Sequence, residues 1–181
     1  MRTILTPPAV PDAALGALKA WLAISTASED AALTALLAAA LDACEAFTGL
    51  MVLESTCEEV LPAQSGWQAL ATKPVQTIAG AEGIPAEGAS FALAADAYAI
   101  DLDADGGGRF RLIGLGSAGR VAVRFTAGLA AEWDDVPAAI RHGTIRLAAQ
   151  LYRRRDDEAD SATPPASVAA LWRPWRRLHL T

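Results

Sequence analysis

Residues 28–49 read SEDAALTALLAAALDACEAFTG. Alanine and leucine dominate, and both favour helix. Leu33, Leu37, Leu41 and Cys44 recur at i, i+4, i+8 and i+11, which makes one apolar stripe. Asp30, Thr34 and Asp42 lie toward the other side. Ser28 is placed to cap this helix, and Glu29 and Asp30 suit the positive end of its dipole. Gly49 is a natural stop. The spacing predicts a long amphipathic helix over 28–48, and the rest of the chain is read outward from it.

On the N-terminal side, Pro11 opens a shorter helix to Leu22, with Leu15, Leu18 and Leu22 on one stripe. On the C-terminal side, Asp134-Asp135-Val136-Pro137 opens a third helix, about 136–155. The aspartates are expected to cap it, and Pro137 fits its first turn. Ile140, Thr144, Leu147 and Leu151 line its apolar side; His142, Arg146, Gln150 and Arg153 line the opposite one. Gly143 sits mid-helix, at a cost of about 1 kcal/mol against Ala. Such a glycine often marks close approach by another backbone.

Between the second and third helices the character changes. Short runs at 51–61, 75–79, 98–102, 110–113 and 121–125 read as strands, bounded by Gly, Pro and Asp. In the last of these, Val121, Val123 and Phe125 share a face. Residues 81–97 and 103–108 read as loops. The expected fold class is α+β, mainly α: a helical bundle with a small antiparallel β region about 51–126. The expected domains are a core over 1–160 and a projecting tail over 161–181. Leu33, Leu37, Leu41, Ile140, Leu147 and Leu151 are the expected buried set.

Composition narrows the class. With 52% hydrophobic and 20% charged residues, 181 residues suit one domain with a sizeable core rather than a disordered chain. No apolar run approaches the roughly 18 residues of a membrane span, so no membrane association is expected. Prolines interrupt MRTILTPPAVP before a signal-peptide core forms. Two cysteines, Cys44 and Cys57, make neither a disulfide framework nor a zinc half-site, and a reducing cytoplasm is the expectation. Residues 1–140 hold seven Lys/Arg against seventeen Asp/Glu, a net −10; residues 141–181 hold eight Arg against four acids, a net +4. An acidic body repels nucleic acid rather than holding it.

Three motifs invite chemistry. Asp101-Leu-Asp103-Ala-Asp105-Gly106 copies the first half of a calcium loop, but its twelfth position is Leu112 where a carboxylate is needed. An acidic hairpin turn is the expected reading, with no metal. Gly114-Leu-Gly116-Ser-Ala-Gly119 matches a dinucleotide fingerprint, yet a strand follows where a helix should hold the pyrophosphate. No cofactor is expected. His142 and His179 are the only histidines, and no Ser, Cys and His form a recognisable arrangement, so no catalytic residue is named. Cys44 reads as a core residue.

The tail says most about function. Trp172, Arg173, Trp175, Arg176, Arg177, Leu178 and Leu180 combine the residue types most enriched at binding hot spots with apolar side chains. They are the expected partner-binding residues. Packing of both tryptophans on the chain's own core, or stacking on single-stranded nucleic acid, are the alternatives.

The whole chain resembles the head–tail connector family of tailed bacteriophages and phage-like gene transfer agents, the adaptor or head-completion proteins. The residues that carry the resemblance are Leu15, Leu18, Lys19 and Leu22, then the helix ending Glu45-Ala-Phe47-Thr48-Gly49. Phe125-Thr126-Ala127-Gly128 before Asp135-Val136-Pro137-Ala138-Ala139-Ile140-Arg141 follows, and finally Pro164-Pro165 with Trp175-Arg176-Arg177-Leu178. The resemblance implies a non-enzymatic subunit in a ring, commonly of twelve, around a DNA channel. Its implied partners are the portal protein, a tail-side stopper or tail component, and neighbouring copies of itself; DNA passes without specific binding. Its implied location is the bacterial cytoplasm during assembly and then the neck of the particle. A small soluble protein-binding module outside any virion is the rival reading, and an enzyme with dispersed site residues is a third.

Overall fold

The computed structural model describes residues 2–6, 9–114, 116, 118–154 and 164–176. The chain forms two compact units. One comprises Met1–Pro8 and Glu54–Leu129, the other Ala9–Leu53 and Ala130–Thr181.

The first unit is built on β-strands. A five-stranded antiparallel sheet runs in the order β1 (Arg2–Thr6), β2 (Ser55–Pro62), β8 (Ala118–Ala127), β4 (Val75–Pro85) and β5 (Phe91–Ala92). A second sheet of three strands has the order β3 (Gln68–Ala69), β7 (Gly108–Leu112), β6 (Tyr98–Leu102). The period-2 alternation of a strand fixes which residues go inward. On β8, Val121, Val123 and Phe125 share the buried face, as their spacing predicts. They stand opposite Leu61, Glu59 and Cys57 of β2. On the other face Arg124 reaches Glu58 of β2 and Glu82 of β4, each at 3.0 Å. These exposed pairs fix register more than they stabilise.

One inward residue of β2 is charged. Glu59 is buried, and its carboxylate accepts hydrogen bonds from the backbone N–H of Ala71 (2.9 Å) and Thr72 (2.9 Å) and from the Thr72 hydroxyl (2.6 Å). It holds the turn that leads into β4.

The second unit is helical. It contains α1 (Asp12–Leu22), α2 (Asp30–Thr48), α3 (Ala138–Arg153) and α4 (Ala166–Trp172). Leu33, Leu37, Ala40 and Cys44 form the buried stripe of α2, and Ile140, Thr144, Leu147 and Ala148 that of α3. Gly49 ends α2 with a left-handed φ of 75° and donates its N–H to the Glu45 carbonyl at 2.8 Å. The acidic start of α2 ties helices together. Asp30 accepts from Lys19 of α1 at 2.6 Å, and Glu29 accepts from the Tyr152 hydroxyl of α3.

Several expectations are corrected. The described residues are 36% helical and 31% strand, with two antiparallel sheets, so the fold is not a mainly α bundle with a small β region. The shortfall came from strands whose alternation is weak. β4 runs through Gly80, Gly83 and Pro85 into the expected loop 81–97, and β5 lies inside that loop. β1 has all five residues exposed, so no buried stripe announces it. The strand expected from Met51 begins only at Ser55.

Neither predicted cap operates. The N-cap of α2 is Glu29 and that of α3 is Pro137, both without a side-chain cap hydrogen bond. Asp134 and Asp135 fall in a short 3-10 turn, Trp133–Asp135, where Asp134 pairs with Arg141 at 3.0 Å. Of the six residues expected inside, Leu33, Leu37, Ile140 and Leu147 are buried, while Leu41 and Leu151 are half-buried. Against the expectation of no span-like run, α2 is long and apolar enough by length and composition to cross a membrane. Its alanines and leucines together carry that hydropathy; the helix packs against α1, α3 and α4, with Leu33 and Leu37 buried.

Cys44 gives the first testable consequence of this packing. Burial pushes its thiol up to about 12 from an ordinary 9.0; Glu45 adds to the rise and a Thr48 hydrogen bond opposes it. The folded-state value is raised, so the stabilisation is complete below pH 9 and is lost as pH rises toward 12. Over that window the unfolded chain releases a proton that the native chain keeps. Stability should fall by about 1.4 kcal/mol per pH unit more steeply than in Cys44→Ala. Urea titrations of both proteins at pH 8, 9 and 10 check this; parallel slopes would refute it.

Candidate functional site

Pro164 and Pro165 precede the C-terminal segment, and Pro165 is the N-cap of α4, with extended backbone that cannot continue a helix. From there Val168 and Trp172, four residues apart, share one face of α4, and both are buried. A 3-10 turn, Arg173–Trp175, follows, closed by the Arg176 N–H donating to the Arg173 carbonyl at 3.1 Å.

Trp172 is not on a partner surface. It has no exposed area and lies against Gly143 of α3. A Cβ at Gly143 would overlap the indole nitrogen and stand 2.9 Å from two ring carbons. The helix therefore needs glycine here because an indole ring, not a backbone, approaches it. The indole N–H points to the Ile140 carbonyl at 3.4 Å, and the ring tilts against Phe47 of α2 with centroids 6.0 Å apart. Residues 166–172, expected in a projecting arm, thus belong to the helical core.

The remaining expected site residues fall differently. Arg173 is exposed and Trp175 is half-buried. Arg176 is exposed and its guanidinium sits 5.4 Å from the centre of the Phe47 ring. Arg177, Leu178 and Leu180 lie outside the described residues, as does His179. Among the described residues, the side chains that remain available are thus two arginines and one tryptophan edge, immediately after α4.

The sequence missed a second feature of this unit. Trp21, Arg146, Gln150, Arg153, Arg154 and Ser167 line an open groove of about 270 Å³ with Val168 at its edge. Trp21 is 45% exposed and meets His142 edge-on at 5.4 Å. Arg146, Gln150 and Arg153 form the polar stripe of α3, so its helical spacing was the available signal. Among the described residues, no carboxylate lines the groove.

The other motifs resolve into turns. Asp103 and Gly106 close the β6–β7 hairpin, with the Gly106 N–H donating to the Asp103 carbonyl at 2.9 Å. Gly106 has φ of 75°, and a Cβ there would come within 2.5 Å of Pro74 Cβ, so glycine is required twice over. Asp103 and Asp101 share the Arg109 guanidinium at 2.5 and 3.5 Å. The glycine run 114–119 leads into strand β8. Among the described residues, no group of three His, Cys, Asp or Glu is placed to hold a metal ion.

No family model and no curated protein matches this chain. Solved structures do. A chain from the neck of an empty gene transfer agent (GTA) particle, computed with C6 symmetry, matches at 29% identity and TM-score 0.79, covering 100% of this chain and 97% of the other. A chain from the virion of a native gene transfer agent particle matches at 29% identity and TM-score 0.78 over the same shares. A chain from the neck of a native particle, computed with C12 symmetry, matches at 28% identity and TM-score 0.75, covering 99% and 97%. This agreement over the whole length, in both units, bears out the resemblance to the head–tail connector family of phage-like particles that the sequence carries.

Proposed function

We propose that this chain is a structural neck subunit: a head–tail adaptor whose copies form a ring, of twelve, below the portal of a phage-like particle. The observation that carries the reading is the full-length likeness to neck components computed with C6 and C12 symmetry. The work is docking and lining rather than catalysis. A closed ring needs two different patches on each subunit, one meeting the other on the next copy. One face of the ring meets the portal, and the other meets a stopper or tail component. The net −10 of residues 1–140 suits a channel wall past which DNA slides without sticking. Assembly takes place in the bacterial cytoplasm and the finished ring sits in the particle neck.

With Trp172 in the core, the attachment arm is shorter than residues 161–181. In this reading it begins at Arg173 and uses Trp175, Arg176, Arg177, Leu178 and Leu180 against the portal. Half-exposed Trp175 is the natural anchor, and hot-spot tryptophans cost about 2 kcal/mol or more when truncated. Trp175→Ala should stay folded by circular dichroism and bind portal about thirtyfold more weakly. Mass photometry of the chain with and without portal tests both levels. Rings on the portal are expected, lost or weakened in Trp175→Ala. A stable dimer in both conditions would sink the ring, and normal docking of the variant would remove the arm.

A further inference from the structure

The groove on the helical unit and the hairpin on the β unit have matching chemistry. The groove gathers three guanidinium groups, Arg146, Arg153 and Arg154, beside the exposed indole of Trp21. None of the three is ion-paired among the described residues. The β6–β7 hairpin carries Asp101, Asp103 and Asp105 against Arg109 and Arg111, which leaves one negative charge in excess; Arg109 pairs with Asp101 and Asp103, and Arg111 sits over the Trp67 ring, so the negative charge gathers at the tip. Next to that acidic tip, Ile100 and Leu102, two apart on one face of β6, are 45% and 43% exposed. Each surface thus offers apolar area beside charge, with opposite signs.

We infer that the Asp101–Asp105 hairpin of one copy seats in the Trp21–Arg146–Arg153–Arg154 groove of a neighbouring copy. This rests on the ring reading and names its subunit contact. The contact is heterologous, hairpin to groove, and it repeats in one direction around a closed ring. The groove's volume of about 270 Å³ is the size of a few side chains, which suits a loop tip rather than a helix. Arginine's planar fork takes a carboxylate through two parallel hydrogen bonds, so Asp105, which has no ion-pair partner among the described residues, is the leading contact and Leu102 lies toward Trp21. Complementary charge also sets the direction of approach and makes the contact salt-sensitive.

The test uses two charge reversals in the full chain, Arg153→Glu and Asp105→Lys. Both side chains are exposed and both variants are checked for folding by circular dichroism. In sedimentation velocity each variant alone should self-associate at least tenfold more weakly than wild type. An equimolar mixture should recover association, because each variant complements the other and an even-numbered ring accepts strict alternation. A second arm needs neither ring nor portal: a cyclic peptide spanning residues 98–112 is titrated into the full chain. The Trp21 indole resonance, assigned with Trp21→Phe, should shift with this peptide and not with its Asp105→Lys form. Variants that associate like wild type, a mixture that does not recover, or a silent Trp21 resonance would each overturn the contact. If the chain binds portal as a ring while these arms fail, only the contact is wrong; if the peptide shifts Trp21 and no ring forms on portal, the ring reading is what fails.

Discussion

Trp172→Ala should lower the unfolding free energy by about 3–5 kcal/mol, which for a domain of ordinary stability comes close to unfolding it. The magnitude follows from what the indole touches. It is fully buried, it fills the space left by a missing side chain at Gly143, and it stacks at a tilt on Phe47. Removing it opens a cavity that α3 cannot close, because glycine offers no atoms to move in. The Ile140 carbonyl, already the acceptor of the Thr144 hydroxyl at 2.9 Å, would keep one partner, so the loss is packing rather than polar satisfaction. Urea denaturation followed by far-ultraviolet circular dichroism measures the cost. A loss below 1 kcal/mol would mean that α4 is not seated as described. A fully folded Trp172→Ala that failed only in portal docking would return Trp172 to the partner surface.

Trp172 also shows how much the sequence could tell and where it stopped. Tryptophan and arginine in one short segment point equally to an interface and to a core face with a charged rim. What separates the two is a complementary gap, and that gap, Gly143, lies twenty-nine residues away in another helix. Both halves were visible: a glycine spoiling an otherwise good helix, and Val168 and Trp172 at a spacing of four. Only the fold joins them. The same limit explains the β unit. Strands with one clean apolar face, such as Val121-Ala-Val123-Arg-Phe125, were legible because side-chain alternation is local. β1, β4 and β5 were not, since exposed residues, glycines and a proline erase alternation, and their pairing partners are distant in sequence. The first three helices were located to within about two residues at each end, but α4 was not read as a helix, and the expected caps of α2 and α3 do not operate. The acids near the helix starts, read as dipole partners at Glu29 and Asp30 and as a cap at Asp134, make side-chain ties: Asp30 to Lys19, Glu29 to Tyr152, Asp134 to Arg141. A carboxylate near a helix start satisfies the dipole in either role, so composition alone does not choose between them.

Glu59→Ala should cost about 3 kcal/mol or more, the largest effect expected from any polar residue in the β unit. Glu59 sits at an inward position of β2, between Cys57 and Leu61, where alternation calls for an apolar side chain. Its carboxylate is justified by three donors: the N–H groups of Ala71 and Thr72 and the Thr72 hydroxyl. Thr72 is itself buried, so water cannot readily take the place of the lost oxygens. Truncation to Ala leaves those donors unsatisfied, each at about 1–3 kcal/mol, and adds a small cavity. Glu59→Gln should cost less than Ala, because its amide keeps one acceptor oxygen while its NH₂ group faces a donor. Thr72→Val should cost less again, since it removes a donor together with its need for a partner. The order Ala, Gln, Val in decreasing loss, measured by urea midpoints at neutral pH, is the signature of a carboxylate that holds a turn. Equal losses for Ala and Gln would show that charge at Glu59, not the set of hydrogen bonds, carries the effect. A negligible loss for Ala would show that the 71–72 turn holds its shape without it.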